Sequence, residues 1–511
     1  MTRTLIRGAQ VITMDTATGS TPTRLDLRIA DGAFTEIGPN LAALPGEEVI
    51  DGTDTLVTPG FVNAHTHSWE YLYKGRYDNM PLELWMLYAY PILGGGRTSP
   101  DLIRLRTLMF AMESMKNGVT TLIDDVLETP GQDLDQLAAV TGAYADIGIR
   151  ANVSGHVINR PFVDTVPFVT DWLPDELVRR VRAEPTLTAE GYLDYSRQAF
   201  ARHHDTANGR IRYMLAPSGP QRCTDDLLVG ATELAAEFDA EVHIHVLETK
   251  TQAVTGDELY GGRTLVQHLD ELGAMSPRTT FAHGIWVTDE DIERISRHGV
   301  SVSHNAISNL KLGSGILPWR AYQDAGVNLG LGTDGCSSSD TPRLMEVMKT
   351  AALLHKVTEP DHTRWSTVDE VLRAATIGGA RSGVLDGSIG SIEVGKRADL
   401  VMFDTETLAF LPTNRLENHL VYSENGSSIV RVMVDGVTTV EDGRLTQIDE
   451  NAVIAAFRAE MPGIREEQDR LDRVNDAFAP AFARMYEEAS GRSTPVNRWT
   501  GDENRWVRQH A

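Results

Sequence analysis

Between Leu56 and Ser382 the sequence switches repeatedly from short apolar, β-prone runs to stretches with helical spacing. Eight runs read as strands: those ending at His65–His67 and Thr120–Asp125, then Arg150–Ser154, Ile211–Pro217, Glu241–Val246, Thr279–Gly284, Val300–Asn305 and Val327–Asp334. Leu102–Lys116, Asp225–Phe238, Asp289–His298 and Pro342–Lys356 read as helices between them, and Val368–Ser382 as one more. Such alternation forces parallel strand pairing with helices laid over the sheet. Eight units over about 300 residues suit a (β/α)8 TIM-type barrel, an α/β fold of roughly 250 residues before insertions. The third connection, from Pro161 to Arg210, is long enough for a lid or an excursion. An open doubly wound sheet competes, because Gly330-Leu-Gly-Thr-Asp-Gly335 matches the dinucleotide-binding glycine pattern after a strand. The acidic residue that pattern wants about twenty residues on is missing, since Leu344–Lys356 reads as helix. The outer glycines are read instead as letting the chain turn tightly around Asp334.

Residues 1–56 are strand-and-turn material, punctuated by Gly8, Asp31-Gly32 and Asp51-Gly52. Similar runs return at Asp399–Phe403, Ile429–Gly436 and Val440–Arg444. A small β-sandwich built from both termini is the economical reading. The expected division is 1–56 and 386–450 for that β-module, 57–385 for the barrel, and 451–511 for a helical extension. In the extension Met461, Ile464, Leu471 and Val474 share a face, and Trp499 and Trp506 close it. Packing on the body is expected there, with an oligomer contact second.

The chain has 511 residues and a formal net charge of −25, which disfavours nucleic acid or an anionic membrane as partner. A small molecule is the better default. Only Cys223 and Cys336 occur, so no disulfide framework is expected. With no apolar leader at the N-terminus and no bilayer-length run, the expected location is the cytoplasm.

In barrels of this kind the C-terminal strand ends face the active site. Polar residues collected there are His65 and His67 from the first strand, and His243, His245 and Glu248 from the fifth. The sixth adds His283, the seventh His304 with Asn305, and the eighth Asp334. His65 and His67 share a face because side chains alternate along a strand. Three imidazoles and a carboxylate, His65, His67, His245 and Asp334, make a set for one divalent ion with a position left for water. His245 is nearer the strand end and is the better ligand; His243 is the better buried support. The fourth strand ends in Leu215-Ala-Pro-Ser-Gly, with no lysine or histidine to hold a second ion. Glu248 is placed as general acid and base, His283 as stabiliser of developing charge, and Asp334 as a ligand that can also carry a proton. Trp69, Tyr73, Arg76 and Trp85, and the strand-end residues Ser218, His304 and Asn305, are candidate substrate contacts.

Taken together, the motifs PGFVNAHTH, HIHVLE, FAHG, SHNAISNLKLGSG and GLGTDG resemble the amidohydrolase superfamily, in its cytosine deaminase, guanine deaminase and triazine chlorohydrolase branch. The resemblance runs from about Leu5 to Leu445 and includes GSIEVGKRADLVMFD. It implies a (β/α)8 barrel with a flanking β-sandwich and one Zn2+, or alternatively Fe2+, on His65, His67, His245 and Asp334. It further implies Glu248 and His283 in catalysis, a homodimer, and deamination of a small aminated heterocycle. Relatives use the same site to displace chloride or alkylamine, or to cleave amide, urea and carbamate bonds. Two features depart from the branch: the extension past Leu445, and Ser218 where adenosine-type deaminases carry a histidine, which speaks against a nucleoside.

Overall fold

The computed structural model describes residues 3–500, so Trp506 lies outside the described residues. Two sheets organise them. In the first all pairings are parallel and neighbours follow chain order: Phe61–His67, Val119–Asp124, Arg150–Val157, Ile211–Pro217, Val242–Val246, Thr279–His283, Ser301–His304 and Leu329–Leu331. We number these strands one to eight. After Gly332 and Thr333 the chain resumes as Asp334–Gly335 and pairs back onto strand one, Asp334 opposite Thr66 and Gly335 opposite His67. Strand eight therefore meets both edges of a curled sheet, its first part on strand seven and its second on strand one. Strands one, two, three, five, six and seven are buried along their whole length, as sheets covered on both faces require.

The glycines on either side of the break in strand eight are there for space. Gly330 and Gly335 are not in the left-handed region, so a tight turn is not what they provide. They provide room. A Cβ on Gly335 would lie 1.7 Å from Glu70 Oε2, and one on Gly330 would lie 2.6 Å from Ala64 Cβ. The residue in the left-handed region is Asp334 itself, at φ 60°.

The helical expectations hold to within a few residues, for example Pro100–Lys116, Asp225–Glu237 and Asp289–Arg297. Helix 100–116 starts where Ser99 Oγ accepts from Leu102 N at 3.3 Å and proline takes the first helical position. One expectation needs correcting: Val368–Ser382 is two helices, Val368–Ala374 and Ile377–Ser382, because Thr376 between them has non-helical backbone angles of −130° and −96°. The long third connection carries its own helices, Val169–Trp172, Asp175–Ala183 and Ala189–His203.

The second sheet draws strands from both ends of the chain. Thr55–Pro59 runs antiparallel to Leu400–Asp404, and the sheet spreads from this joint through Arg3–Val11 on one side and Ile429–Val434 on the other. It is pinned to strand three by the buried Arg150, whose guanidinium meets Asp399 at 3.0 Å and Asp435 at 2.6 Å. Glu450–Asn475 and Ala479–Gly491 form the extension. Phe478, Phe482 and Met485 join Leu87 and Val163, Val169, Val178 and Val181 in an apolar cluster of their own. The extension, the helix Leu82–Ala89 and the third connection thus share one core. No helix among the described residues is long and apolar enough to cross a membrane.

Candidate metal and catalytic site

His65 and His67 lie on strand one with their rings 4.7 Å apart and edge-on, both buried. Strand eight brings Asp334 between them: its Oδ1 lies 3.2 Å from His65 Nε2 and 3.3 Å from His67 Nε2. Strand five adds His245, whose Nε2 is 3.3 Å from that of His67. The donor atoms of His65, His67 and His245 thus lie within 4.8 Å of one another, and those of His65, His283 and Asp334 do so as well, so that two triads share His65.

The far side of each ring explains why these atoms point inward. His67 Nδ1 donates to Asp125 O at 2.6 Å, and His245 Nδ1 to Ser218 O at 3.0 Å. His65 Nδ1 lies 2.7 Å from His243 Nε2, and His243 Nδ1 donates to Glu241 Oε1 at 2.8 Å. With Nδ1 engaged as a donor, each ring in its neutral form presents a lone pair on Nε2, the form a metal needs. His65 Nε2 is buried without a hydrogen bond, an orphan a cation would satisfy.

The electrostatics agree with that fit. Burial pushes His65 down to about 3 and holds His245 well below the ordinary imidazole range, so both stay neutral. At His67 burial is outweighed by Glu70, Asp334 and Asp125, which carry it up to about 9. Negative charge is thus in excess around that ring. Despite its burial, Asp334 is held below the usual carboxylate range by His65, His283 and His67.

His283 and Glu248 flank the cluster. His283 Nε2 lies 3.6 Å from Glu248 Oε2 and 3.8 Å from Asp334 Oδ2, and its Nδ1 donates to Asn309 Oδ1 at 2.8 Å. Ser308 Oγ donates to Asp334 Oδ2 at 2.6 Å. Burial, with Asp334 close by, raises the Glu248 carboxyl well above its ordinary range. His283 and Asp334 both have positive φ, 74° and 60°, strain of the kind that collects at functional sites.

These side chains line one cavity. Leu82, Trp85, Met86, Tyr90 and Leu312 form its apolar wall, and His156 and Arg222 are further polar members. Of the seven candidate substrate contacts, Trp85 alone is in this wall. Trp69 and Tyr73 pack edge-on against each other beneath the extension. Arg76 pairs instead with Asp469 at 2.8 Å and Asp472 at 2.5 Å, since the extension lays its acidic residues over that loop. His304 turns away to His355, Nε2 to Nε2 at 3.0 Å, and Asn305 Nδ2 reaches His283 Nδ1 at 3.4 Å from behind. Ser218 offers its backbone oxygen to His245 and its hydroxyl to Arg222.

Sequence reasoning missed Glu70, Asp125, His156 and Arg222. Glu70 is buried beside His67, takes Ser337 Oγ at 2.5 Å and is raised to about 7 by burial. Asp125 Oδ2 accepts from His156 Nδ1 at 2.8 Å. Asp125 ends the second predicted strand, so the strand-end rule could have found it; His156 lay past the predicted end of strand three, Ser154. Nothing marked Glu70, in the short 3-10 helix Ser68–Tyr73, or Arg222, in the turn after strand four.

Residues 56–439 match the family model described as Amidohydrolase family. The chain belongs to the amidohydrolase family. It is a metal-dependent hydrolase acting on carbon–nitrogen bonds. A 5'-deoxyadenosine deaminase of Methanosarcina mazei is 34% identical over 451 residues, 88% of this chain and 95% of that protein. A 5-methylthioadenosine/S-adenosylhomocysteine deaminase of Desulforudis audaxviator is 34% identical over 456 residues, 88% and 96% of the two chains. Among solved structures, zinc-complexed atrazine chlorohydrolase from Arthrobacter aurescens superposes with a TM-score of 0.81 at 26% identity, covering 90% of this chain and 100% of that one. An adenosine deaminase from Xanthomonas campestris with bound zinc gives 0.79 at 27%, covering 91% and 98%. In this amidohydrolase strand four ends at Pro217 and Ser218, so no lysine stands there to bridge a second ion.

Proposed function

We propose that the protein is a zinc-dependent aminohydrolase that releases ammonia from a small, flat, aminated heterocycle. The observation that carries this is the approach of His65 and His67 Nε2 to Asp334 Oδ1, with His245 Nε2 against His67 Nε2 and with Glu248 and His283 on the same cavity. His65, His67, His245 and Asp334 would hold one ion, which supplies Lewis acidity and a water reactive at neutral pH. Glu248, on the same cavity, would take a proton from water placed against the ring carbon that bears the amino group. The raised carboxyl keeps the proton until the leaving nitrogen accepts it, and the C–N bond breaks with release of ammonia. His283, between Glu248 and Asp334, passes protons between these carboxylates and the substrate. Trp85 and Tyr90 supply faces on which a ring can stack.

The wider proposal follows the same lines. Residues 57–385 form the catalytic (β/α)8 barrel closed by strand eight, the described parts of 1–56 and 386–450 make up the β-sandwich module, and the helices from Glu450 to Gly491 form the extension. The enzyme acts in the cytoplasm as a homodimer, without nucleic-acid or membrane partners. Among relatives the deaminases act on adenosine-type compounds, so the substrate panel should span those together with aminopyrimidines, pterins and triazines.

The test is ammonia release by the zinc-loaded protein and by E248Q. The variant is expected to bind zinc as tightly as the parent and to lose about 100-fold or more in turnover. An E248Q protein as active as the parent would remove Glu248 from the mechanism. Ring chloride or alkylamine released without ammonia would move the assignment to the other chemistry of this site.

A further inference from the structure

Arg222 sits four residues past Ser218 on the loop leaving strand four, and its side chain enters the wall of the cavity that holds His245, Glu248 and His283. It is 6% exposed. A guanidinium carries five N–H donors, and burying it is costly unless they and the charge are met. Here they are barely met. Nη1 reaches Ser218 Oγ at 3.4 Å, Nη2 points to Met86 Sδ at 3.1 Å, and Nε has no partner. Among the described residues no carboxylate is within ion-pair distance of it. The carboxylates whose charge is felt there are Glu248 first and then Glu83, neither of them paired with it, and Glu83 is occupied by Thr249 Oγ1 at 2.6 Å. The loop is nonetheless rigid: Arg222 O accepts from Asn159 N at 3.3 Å and Arg160 N at 3.2 Å, and its N donates to Gly219 O at 3.0 Å. A buried cation held in place without an ion-pair partner, with most of its donors unmet beside a reactive cluster, is a receptor for an anion that arrives from outside. His156 in the same wall adds a second unmet atom, Nε2, which accepts when Nδ1 donates to Asp125.

We infer that Arg222 anchors the substrate, and that the substrate carries an oxyanion, a carboxylate or the ionised oxo group of an acidic ring, with a ring N–H offered to His156. The inference rests on the aminohydrolase reading for the identity of the site. It separates this cavity from one shaped for a neutral nucleoside, which offers the guanidinium acceptors but no negative charge. Bidentate pairing with a planar oxyanion also fixes the ring's orientation toward Glu248.

Binding to the zinc-loaded protein, read by calorimetry and by quenching of tryptophan fluorescence, tests this with two matched pairs. One pair is 4-aminopyrimidine and its 5-carboxylate; the other is melamine and ammelide at a pH where ammelide is ionised. The parent is expected to bind the anionic member of at least one pair 10-fold or more tightly than the neutral one. R222M is expected to abolish that preference and R222K to keep part of it, and the pair that responds tells carboxylate from ring oxyanion. R222M should melt no lower than the parent, because it removes an unpaired buried charge. Three results overturn the inference: no preference in the parent, no binding by any probe, or a preference that survives in R222M. Ammonia release is recorded in the same samples. Charge-selective binding through Arg222 with no ammonia from any amine would leave the anchor standing and overturn the deaminase assignment instead.

Discussion

His243 does not reach the point where His65, His67, His245 and Asp334 meet, yet it sets the orientation of one of them. Its ring stacks on that of His65 at 4.8 Å and 9°, and its two nitrogens bridge His65 Nδ1 to Glu241 Oε1. Asn152 Nδ2 holds the other oxygen of Glu241 at 3.2 Å. A carboxylate–imidazole–imidazole chain of this kind keeps the proton on His65 Nδ1 and the lone pair on Nε2. Replacing His243 with Phe keeps the ring's shape and removes both nitrogens. The expected result is zinc affinity weaker by about 10–100-fold with the fold retained, measured by competition with a chelator. Affinity equal to the parent's would mean that His65 needs no such support. The relation of His243 to His245 was legible in the sequence, because alternation puts both on one face and strand direction ranks them by depth. Arg222 and Glu70 were not legible. Each is an ordinary charged residue in a short segment, Glu70 in a short 3-10 helix and Arg222 in a turn, until the fold buries it.

At the scale of elements, sequence patterning served well wherever a regular period met a burial demand. The eight strands of the parallel sheet are apolar runs because the sheet is covered on both faces, and their ends carried the histidines. Patterning failed where a contact from a distant segment decides. Arg76 has the sequence context of a mouth residue, and only the arrival of Asp469 and Asp472 from the extension turns it aside. The same extension has a larger consequence. Ile464 and Leu471 are buried against the body, and Phe478, Phe482 and Met485 share a core with the third connection and with Leu87 of helix 82–89. That helix presents Leu82, Trp85 and Met86 to the catalytic cavity. Asn475 ties the parts together, its Oδ1 accepting from Ile92 N at 3.1 Å and Leu93 N at 3.2 Å. Truncation after Asp449 should therefore expose a contiguous apolar face and loosen one wall of the site. The expected outcome is self-association in light scattering and faster proteolysis within 161–187, with substrate KM raised more than kcat is lowered. A truncated chain that stays monodisperse with unchanged KM would make the extension an independent appendage.

For the molecule as a whole, several histidines are held neutral inside the fold, and that ties its stability to pH apart from any catalytic titration. The His304–His355 pair shows this away from the metal cluster. The two rings meet Nε2 to Nε2 at 3.0 Å, Trp319 stacks on His355 at 5.2 Å, and both imidazoles are buried. Burial, with Arg320 nearby, pushes His355 down to about 3 from an ordinary value of 6.5. Above pH 6.5 the ring is neutral in the folded and unfolded chains, and pH has no leverage through it. As pH falls below 6.5 the unfolded chain takes up a proton that the folded chain refuses, so stability is lost progressively down to about pH 3. At pH 5 the loss through this one ring is about 2 kcal/mol. In H355Q the side chain keeps an amide for His304 but has nothing to titrate. Its stability at pH 8 should lie below the parent's, while its further fall between pH 8 and pH 5 should be smaller by about that same amount. Urea unfolding of both proteins at the two pH values measures the difference. Parallel losses would mean that His355 already carries its proton in the folded chain, a state that Nε2-to-Nε2 contact with a neutral His304 would then have to stabilise.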